Sequence, residues 1–183
     1  MTVLDKSIIR KDIKAKRLQM DLETFSLYSQ HIHQQVMIHP QIQQASMIAC
    51  YVSLPKEVET LSLIQELLKT KRVCVPKVNQ DTMDFYEIDS LDDLKEGYFH
   101  VLEPTTTALI LPEDIDCMLV PMLAFDKQKY RVGYGKGFYD KYFARGYHGY
   151  KLGLAFSFQY VEHIQINSYD YALNEIITES QRY

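Results

Sequence analysis

The stretch that decides the architecture is DCMLVPMLAFDKQKYRVGYGKGFYDKYF, residues 116–143. It opens as an apolar run and closes on FYDKYF, which reads as a helix. Between them lies the alternation Gly133-Tyr134-Gly135-Lys136-Gly137. An apolar run bounded by turn residues is consistent with a buried strand. A buried strand that feeds a turn and then a helix is one arm of an α/β protein. The chain holds only seven glycines, and three of them sit here. Glycine costs backbone entropy on ordering, so the cluster needs a reason. In an open α/β sheet, ligands bind outside the carboxyl ends of the strands. A helix start there offers free N–H groups and partial positive charge, and glycines let that backbone approach an anion. The location suits a phosphate.

Outward from this stretch, strands and helices alternate. Residues 3–39 read as helix, with DLETFSLYSQHIHQQV (21–36) opening a second one. Asp21 with Thr24 three residues on is a cap signal, and Leu22, Phe25, His33 and Val36 form an uneven apolar stripe. Pro40 ends that helix. SMIACYVSL (46–54) reads as a buried strand, and EVETLSLIQELLKT (57–70) as a helix on Val58, Leu61, Ile64, Leu67 and Leu68. RVCVPKV (72–78) and TMDFYEI (82–88) read as strands. SLDDLKEGYFHVLEP (90–104) reads as a brief helix followed by loop. KLGLAFS (151–157) is a further strand, and NEIITES (174–180) an edge strand. The alternation predicts an α/β protein with a largely parallel sheet. With 183 residues, no repeat and no linker, residues 1–183 are expected to form a single domain.

Composition narrows the function classes. The chain is 46% apolar and 24% charged, with a net charge of -4 and a pI of about 5.9. No global basic field points to nucleic acid. No apolar run approaches the roughly 18 residues of a membrane span. The first residues lack a signal-peptide core, and Asp5 and Asp12 argue against a transit peptide, so a cytoplasmic location is expected. The three cysteines, Cys50, Cys74 and Cys117, have no C-x-x-C spacing and lie in apolar runs, which predicts buried thiols. His31 and His33, two apart on a helix, face away from each other, and no zinc framework exists.

Common phosphate fingerprints do not fit. A dinucleotide loop needs a third glycine where Phe138 stands. A P-loop needs glycine at Tyr130 and Ser or Thr at Gly137. The companions of a protein-kinase loop are absent. Lys136 and Asp140 are four apart, so a helix would put them on one face. Two readings stay open from the residues alone. One is a surface ion pair beside a structural turn. The other gives Lys136 to phosphate oxygens and Asp140 to Mg²⁺, which takes one or two carboxylates plus phosphates.

VPMLAFDKQKYRVGYGKGFYDKYF (120–143) resembles the signature of the 5-formyltetrahydrofolate cyclo-ligase (5,10-methenyltetrahydrofolate synthetase) family. KSIIR (6–10), YVSLPKEVET (51–60), VLEP (101–104) and NSYDYALNEIIT (167–178) resemble further family landmarks in order, so the similarity spans nearly the whole chain. The resemblance implies a three-layer α/β/α sandwich, Rossmann-like, with a mostly parallel central sheet and two N-terminal helices. It implies conversion of 5-formyltetrahydrofolate and ATP to 5,10-methenyltetrahydrofolate, ADP and phosphate, with Mg²⁺. In the family's usual account the formyl oxygen attacks the γ-phosphate, the position-10 nitrogen closes the ring, and phosphate leaves. Such chemistry needs positioning and charge neutralisation more than an acid–base dyad.

The resemblance also implies roles. Lys6, Arg10, Arg131, Gly133, Tyr134, Gly135, Lys136, Gly137, Phe138 and Tyr139 match the ATP-binding positions, with Lys136 as the catalytic charge. Asp140 and Asp170 match the metal positions, and Val52, Glu57 and Tyr134 the folate positions. A carboxylate at Glu57 would accept pterin N–H groups. The implied partners are the two substrates, without nucleic acid or membrane, in a monomer or weak dimer. Three residues depart from the family's pattern. Lys129 stands where glycine is common, which disfavours φ > 0 in that turn. Lys141 replaces a common Arg, and Asn174 a common Asp. The rival functions are a non-catalytic nucleotide or folate module and another phosphotransferase of the same fold.

Overall fold

The computed structural model describes residues 5–97 and 100–183. From Lys6 on, the chain is helical, as expected, in two long pieces, and residues 3 and 4 of the expected helix lie outside the described residues. Helix α1 (Lys6–Gln19) is capped by Asp5, whose side chain accepts the Ser7 N–H. Helix α2 (Leu22–Met37) is capped by Asp21, which accepts the Thr24 N–H at 2.8 Å. Pro40 does not merely end that helix. It occupies the first turn of a short helix α3 (Pro40–Gln44), where its missing N–H costs nothing. The buried stripe of α2 runs through Ser29, Ile32 and Val36, with Phe25 packed against it. Leu22 lies outside this stripe and is 75% exposed.

The strands that follow are β1 (Met47–Cys50), β2 (Arg72–Asn79), β3 (Thr82–Ile88), β4 (Leu94–Glu96), β5 (Leu102–Pro104), β6 (Leu109–Ile110), β7 (Cys117–Val120), β8 (Ala124–Phe125), β9 (Arg131–Val132), β10 (Tyr150–Leu154) and β11 (Glu175–Ile177). Helix α4 (Leu61–Leu67) links β1 to β2, and α5 (Phe138–Phe143) precedes β10. Among the described residues the main sheet has seven strands in the order β11-β10-β7-β1-β2-β3-β6. The section from β2 to β11 is parallel, and β3 and β6 add antiparallel at the far edge. Pro76 is tolerated in β2 because the ladder to β1 covers only Arg72, Val73 and Cys74.

Alternate residues of each parallel strand enter two apolar clusters. Ile48, Cys50, Val73, Leu119 and Leu152 join α2, α3 and α4 in one. Met47, Ala49, Cys74, Met118 and Val120 join α5 in the other. Helix α1 packs separately, through Ile9 and Ile13 onto Leu123, Ala124 and Val132 of the β8–β9 hairpin. All three cysteines are buried and unpaired, as expected. No described helix is long and apolar enough to cross a membrane.

Two segments depart from expectation. The apolar run 116–125 is not one strand, since β7 stops at Val120 and the chain re-enters extended structure only at Ala124. Residues 90–96 do not form an α-helix but one 3₁₀ turn, Leu91–Asp93, followed by β4, which pairs with β5 as a hairpin. The Asp93 carboxylate accepts the N–H groups of Asp89 and Ser90, and Ser90 Oγ accepts that of Asp92. These side-chain bonds offer the backbone an alternative to helix. Residues 98 and 99 of that segment lie outside the described residues.

The parallel order sets the site. From β1 the chain passes to β2 on one side, and later to β7 on the other. Loops leaving the carboxyl ends of β1 and β7 therefore diverge and open a crevice between them. The first carries Val52 and Glu57, and the second leads to the glycines.

Candidate functional site

A cleft of about 810 Å³ lies along the glycine loop, between α1 and the segment 167–171. Its walls include Lys6, Arg10, Arg131, Lys136, Asp140 and Asp170, so residues far apart in sequence do converge. Helix α1 supplies two cations from one face. Lys6 Nζ donates to Asp170 Oδ2 at 2.6 Å, and Arg10 Nε donates to the Gly133 carbonyl at 2.8 Å. The Arg10 guanidinium also lies 3.7 Å from where a Cβ on Gly135 would stand. Gly135 and Gly137 adopt φ of 108° and 67°, a region that side chains disfavour, which explains glycine at both. Lys136 lies between them, exposed at the cleft.

The Lys136–Asp140 helix pair does not form. Lys136 precedes α5, whose N-cap is Gly137, so the two are not on one helical face. Asp140 Oδ1 instead accepts from Arg131 Nη1 at 3.1 Å and from the Tyr171 N–H at 3.0 Å. Arg131 Nη1 also reaches the Tyr171 carbonyl at 3.3 Å. This clasp ties the 167–171 segment to the glycine loop. Helix α5 has only six residues, so its dipole is small. The charge for an anion comes mainly from Lys6, Arg10 and Lys136. Phe138 and Tyr139 are half-buried beside these groups, with the Arg131 guanidinium 5.9 Å from the Tyr139 ring centre.

Glu57 and Val52 are not on the open wall of the cleft. Val52 belongs to the core cluster with Tyr51 and Val58. Glu57 is 3% exposed, beside Tyr134. Its Oε1 accepts from Tyr134 Oη at 2.5 Å, and its Oε2 from the Leu54 N–H at 2.7 Å. Burial pushes the Glu57 carboxyl above its usual range, against the pull of Tyr134, Leu54 and Arg17. Burial and the Glu57 charge together raise the phenols of Tyr134 and Tyr139. Tyr134 thus joins the glycine loop to the loop after β1.

Arg17 escaped the sequence reading. Its guanidinium is 6% exposed, donates to Tyr134 Oη at 2.7 Å and to the Met122 carbonyl at 2.5 Å, and lies 4.0 Å from Glu57 Oε1. The available signal was register. Ile9, Ile13 and Arg17 are spaced four apart, so a cation occupies the third buried position of an apolar stripe.

A family model for the 5-formyltetrahydrofolate cyclo-ligase family matches residues 3–179. The chain belongs to this family. It is 33% identical to the 5-formyltetrahydrofolate cyclo-ligase of Mycoplasma genitalium, over 96% of this chain and 98% of that protein. It is 26% identical to the Mus musculus enzyme of the same name, over 93% and 92%. Among solved structures it resembles the 5,10-methenyltetrahydrofolate synthetase of Aquifex aeolicus, with a TM-score of 0.88 and 32% identity, over 97% of this chain and 91% of that one.

The departures from the cyclo-ligase pattern now have structural readings. Lys129 holds φ of 67°, so the turn keeps the left-handed conformation despite its side chain. Asn174 Oδ1 accepts the Lys151 N–H at 2.8 Å, and its own N–H donates to the Lys151 carbonyl, so it fastens β10 to the start of β11. Lys141 Nζ lies over the Phe138 ring at 5.9 Å.

The metal positions can be tested on the donors present. Asp140 and Asp170 both line the cleft, yet each already faces a cation, Arg131 or Lys6. No group of three or more His, Cys, Asp or Glu that could hold an ion exists among the described residues. Two carboxylates suit Mg²⁺ that arrives with phosphate oxygens completing its shell, rather than a resident ion.

Proposed function

We propose that the protein converts 5-formyltetrahydrofolate to 5,10-methenyltetrahydrofolate, consuming ATP and releasing ADP and phosphate. One observation carries this reading: Tyr134 stands between a cationic cleft and a buried carboxylate, at the β1–β7 divergence. In the proposed reaction the formyl oxygen attacks the γ-phosphorus and ADP departs. The position-10 nitrogen then adds to the activated carbon and loses its proton, and the phosphate leaves with that carbon's former oxygen and takes up a proton.

Lys6, Arg10 and Lys136 would neutralise the triphosphate, with Lys136 free to follow the charge in the transition state. Gly133, Gly135 and Gly137 would let the backbone approach it, with Arg131, Phe138 and Tyr139 shaping the floor. Asp140 and Asp170 would hold Mg²⁺, which when bound would neutralise charge on the triphosphate. Glu57 would accept the pterin N–H donors, and Tyr134 would swing or stack to admit the ring beside Val52. A cytoplasmic monomer or weak dimer accompanies this reading.

The test mixes protein, MgATP and 5-formyltetrahydrofolate and follows methenyl absorbance. Turnover that needs all three components is the expected result. Folded protein without turnover defeats the enzyme reading and leaves a binding module. ADP release that needs no folate points instead to another phosphotransferase.

A further inference from the structure

Arg17 has no part in the roles just assigned, yet it touches both loops of the site. Its Nη1 donates to Tyr134 Oη, its Nη2 to the Met122 carbonyl just past β7, and Glu57 Oε1 lies 4.0 Å away. A buried guanidinium is costly unless paired and hydrogen-bonded. Here one donor, Nε, has no partner among the described residues. A residue kept only to fill the core would be better served by an apolar side chain of similar volume. Helix α1 also presents Lys6 and Arg10 to the cleft, so one helix reaches both ends of the site.

We propose that Arg17 is a positioning residue that holds the Glu57 carboxylate and the Tyr134 phenol in place for the folate ring. The phenol accepts from Arg17 and donates to Glu57, so it bridges the two charges. When the ring enters and Tyr134 gives way, Arg17 is the cation that remains to orient Glu57. The fork of a guanidinium can hold Met122 and the carboxylate together, which a lysine cannot. The groups that face Glu57 are Arg17 from α1, Tyr134 from the glycine loop, Tyr139 from α5 and Tyr51 at the end of β1. Arg17 is the one cation among them. The assignment to folate rests on the proposed cyclo-ligase activity.

The experiment compares wild type with Arg17→Gln, Arg17→Lys and Tyr134→Phe. Each is assayed for the KM of folate and of MgATP, and for kcat, from pH 5 to 9. The Glu57 carboxyl is titrated by NMR with ¹³C-labelled glutamate and no ligand. Arg17→Gln is expected to raise the folate KM at least about tenfold, one lost charged contact, with the MgATP KM within about twofold. It is also expected to move the Glu57 titration and the acid limb of folate binding to higher pH. Arg17→Lys keeps the charge, so the limb stays near wild type while the folate KM still rises. Tyr134→Phe leaves both charges and removes the bridging hydrogen bond, so it is also expected to move the limb to higher pH, and Arg17→Gln made in that background moves it further. An unmoved Glu57 titration in Arg17→Gln, no further shift when it is added to Tyr134→Phe, or equal loss for both substrates overturns the role. Wild-type protein without folate turnover overturns the activity, and with it the substrate half of this assignment. The Glu57 titration separates that failure from a failure of Arg17 itself. If Arg17→Gln does not fold, Arg17→Lys carries the test through the split between the folate and MgATP KM, and an unchanged folate KM there overturns the role.

Discussion

The two loops that meet at the β1–β7 divergence are held in opposite ways. The loop 51–60 is cross-braced. Thr60 Oγ1 donates to the Tyr51 carbonyl at 2.7 Å and accepts the Ser53 N–H at 2.9 Å, while Tyr51 Oη donates to the Val58 carbonyl. Lys56 Nζ reaches back to the Met20 carbonyl at 2.6 Å and ties the loop to the end of α1. The loop 133–137 has little of this, apart from the Arg10 bond to Gly133 and the Tyr134 bridge. The braced loop presents a desolvated carboxylate in one fixed place, suited to a rigid ring. The open loop presents backbone and a free lysine, suited to a charge distribution that changes during reaction. Substitutions in the first should therefore cost stability and binding together, and in the second activity alone.

Glu57→Gln is the severest way to probe the braced side. Removing the carboxylate leaves the Arg17 guanidinium without its nearest anion and Tyr134 with a weaker acceptor, which costs stability, although the neutral amide also escapes the desolvation that raises the Glu57 carboxyl. The amide keeps one acceptor oxygen but loses the charge and the second oxygen, which in the proposed role costs ring binding about 2–3 kcal/mol. A loss of folate affinity of roughly 30- to 150-fold is expected by calorimetry, with a lower urea midpoint. Full folate affinity in the variant would put the ring elsewhere.

On the open side, Lys136→Ala should lower kcat at least about tenfold, roughly 1.4 kcal/mol of transition-state stabilisation. Its melting temperature should match wild type, because Lys136 is exposed. Asp140→Asn should lower turnover by a similar factor but also lower the melting temperature, since the buried Arg131 loses its carboxylate. If Lys136→Ala also melted early, the contrast between the loops would be wrong.

The contrast extends to pH. Burial raises the Glu57 carboxyl above its ordinary 4.5. A raised folded value means that its stability contribution is fully present below the unfolded value and is lost as pH rises through the folded one. In the proposed role Glu57 accepts the ring's N–H donors only when ionised, so folate affinity should move the other way and weaken as pH falls through that same window. Stability and folate affinity measured on one pH series should therefore slope oppositely there. Parallel slopes would mean that Glu57 is not the group read.

How much of this was legible varies by residue. The strand–helix alternation, the cap at Asp21, the buried cysteines and the convergence of Lys6 and Arg10 on the glycine loop all follow from local pattern or resemblance. Local signals failed where partners are distant. Lys6 and Asp170 are 164 residues apart, and Arg17 and Tyr134 are 117 apart. No periodicity encodes those pairings, because they depend on where the β7 and β10 connections return. Asp140 shows the error in its simplest form: spacing offered Lys136, but the fold supplied Arg131. Arg17 was readable in principle, since a cation in an apolar register must find buried partners. Residues 90–104 misled because Leu91 and Leu94 mimic helical spacing, whereas the Ser90 and Asp93 side chains divert the backbone.

The mildest probe lies in the turn that feeds the open loop. Lys129 holds φ of 67° between β8 and β9. The turn is kept by Asp126, whose Oδ1 accepts the N–H groups of Gln128 and Tyr130 and whose Oδ2 accepts that of Ile164. The Lys129 N–H donates to the Asp126 carbonyl, and its own carbonyl accepts the Leu173 N–H. These bonds use backbone atoms of residue 129, so its side chain contributes nothing to them. A left-handed residue with a Cβ costs about 1–2 kcal/mol. Glycine removes that cost but loses about 0.5–1 kcal/mol of its own in ordering. Lys129→Gly should thus stabilise the protein by about 0.5–1 kcal/mol, a rise in melting temperature of roughly 1–4 °C for a chain of this size. Activity should be unchanged, because the backbone bonds that set the turn survive. A fall in melting temperature would show that the Lys129 side chain supports the turn, and the open loop would then be braced from upstream after all.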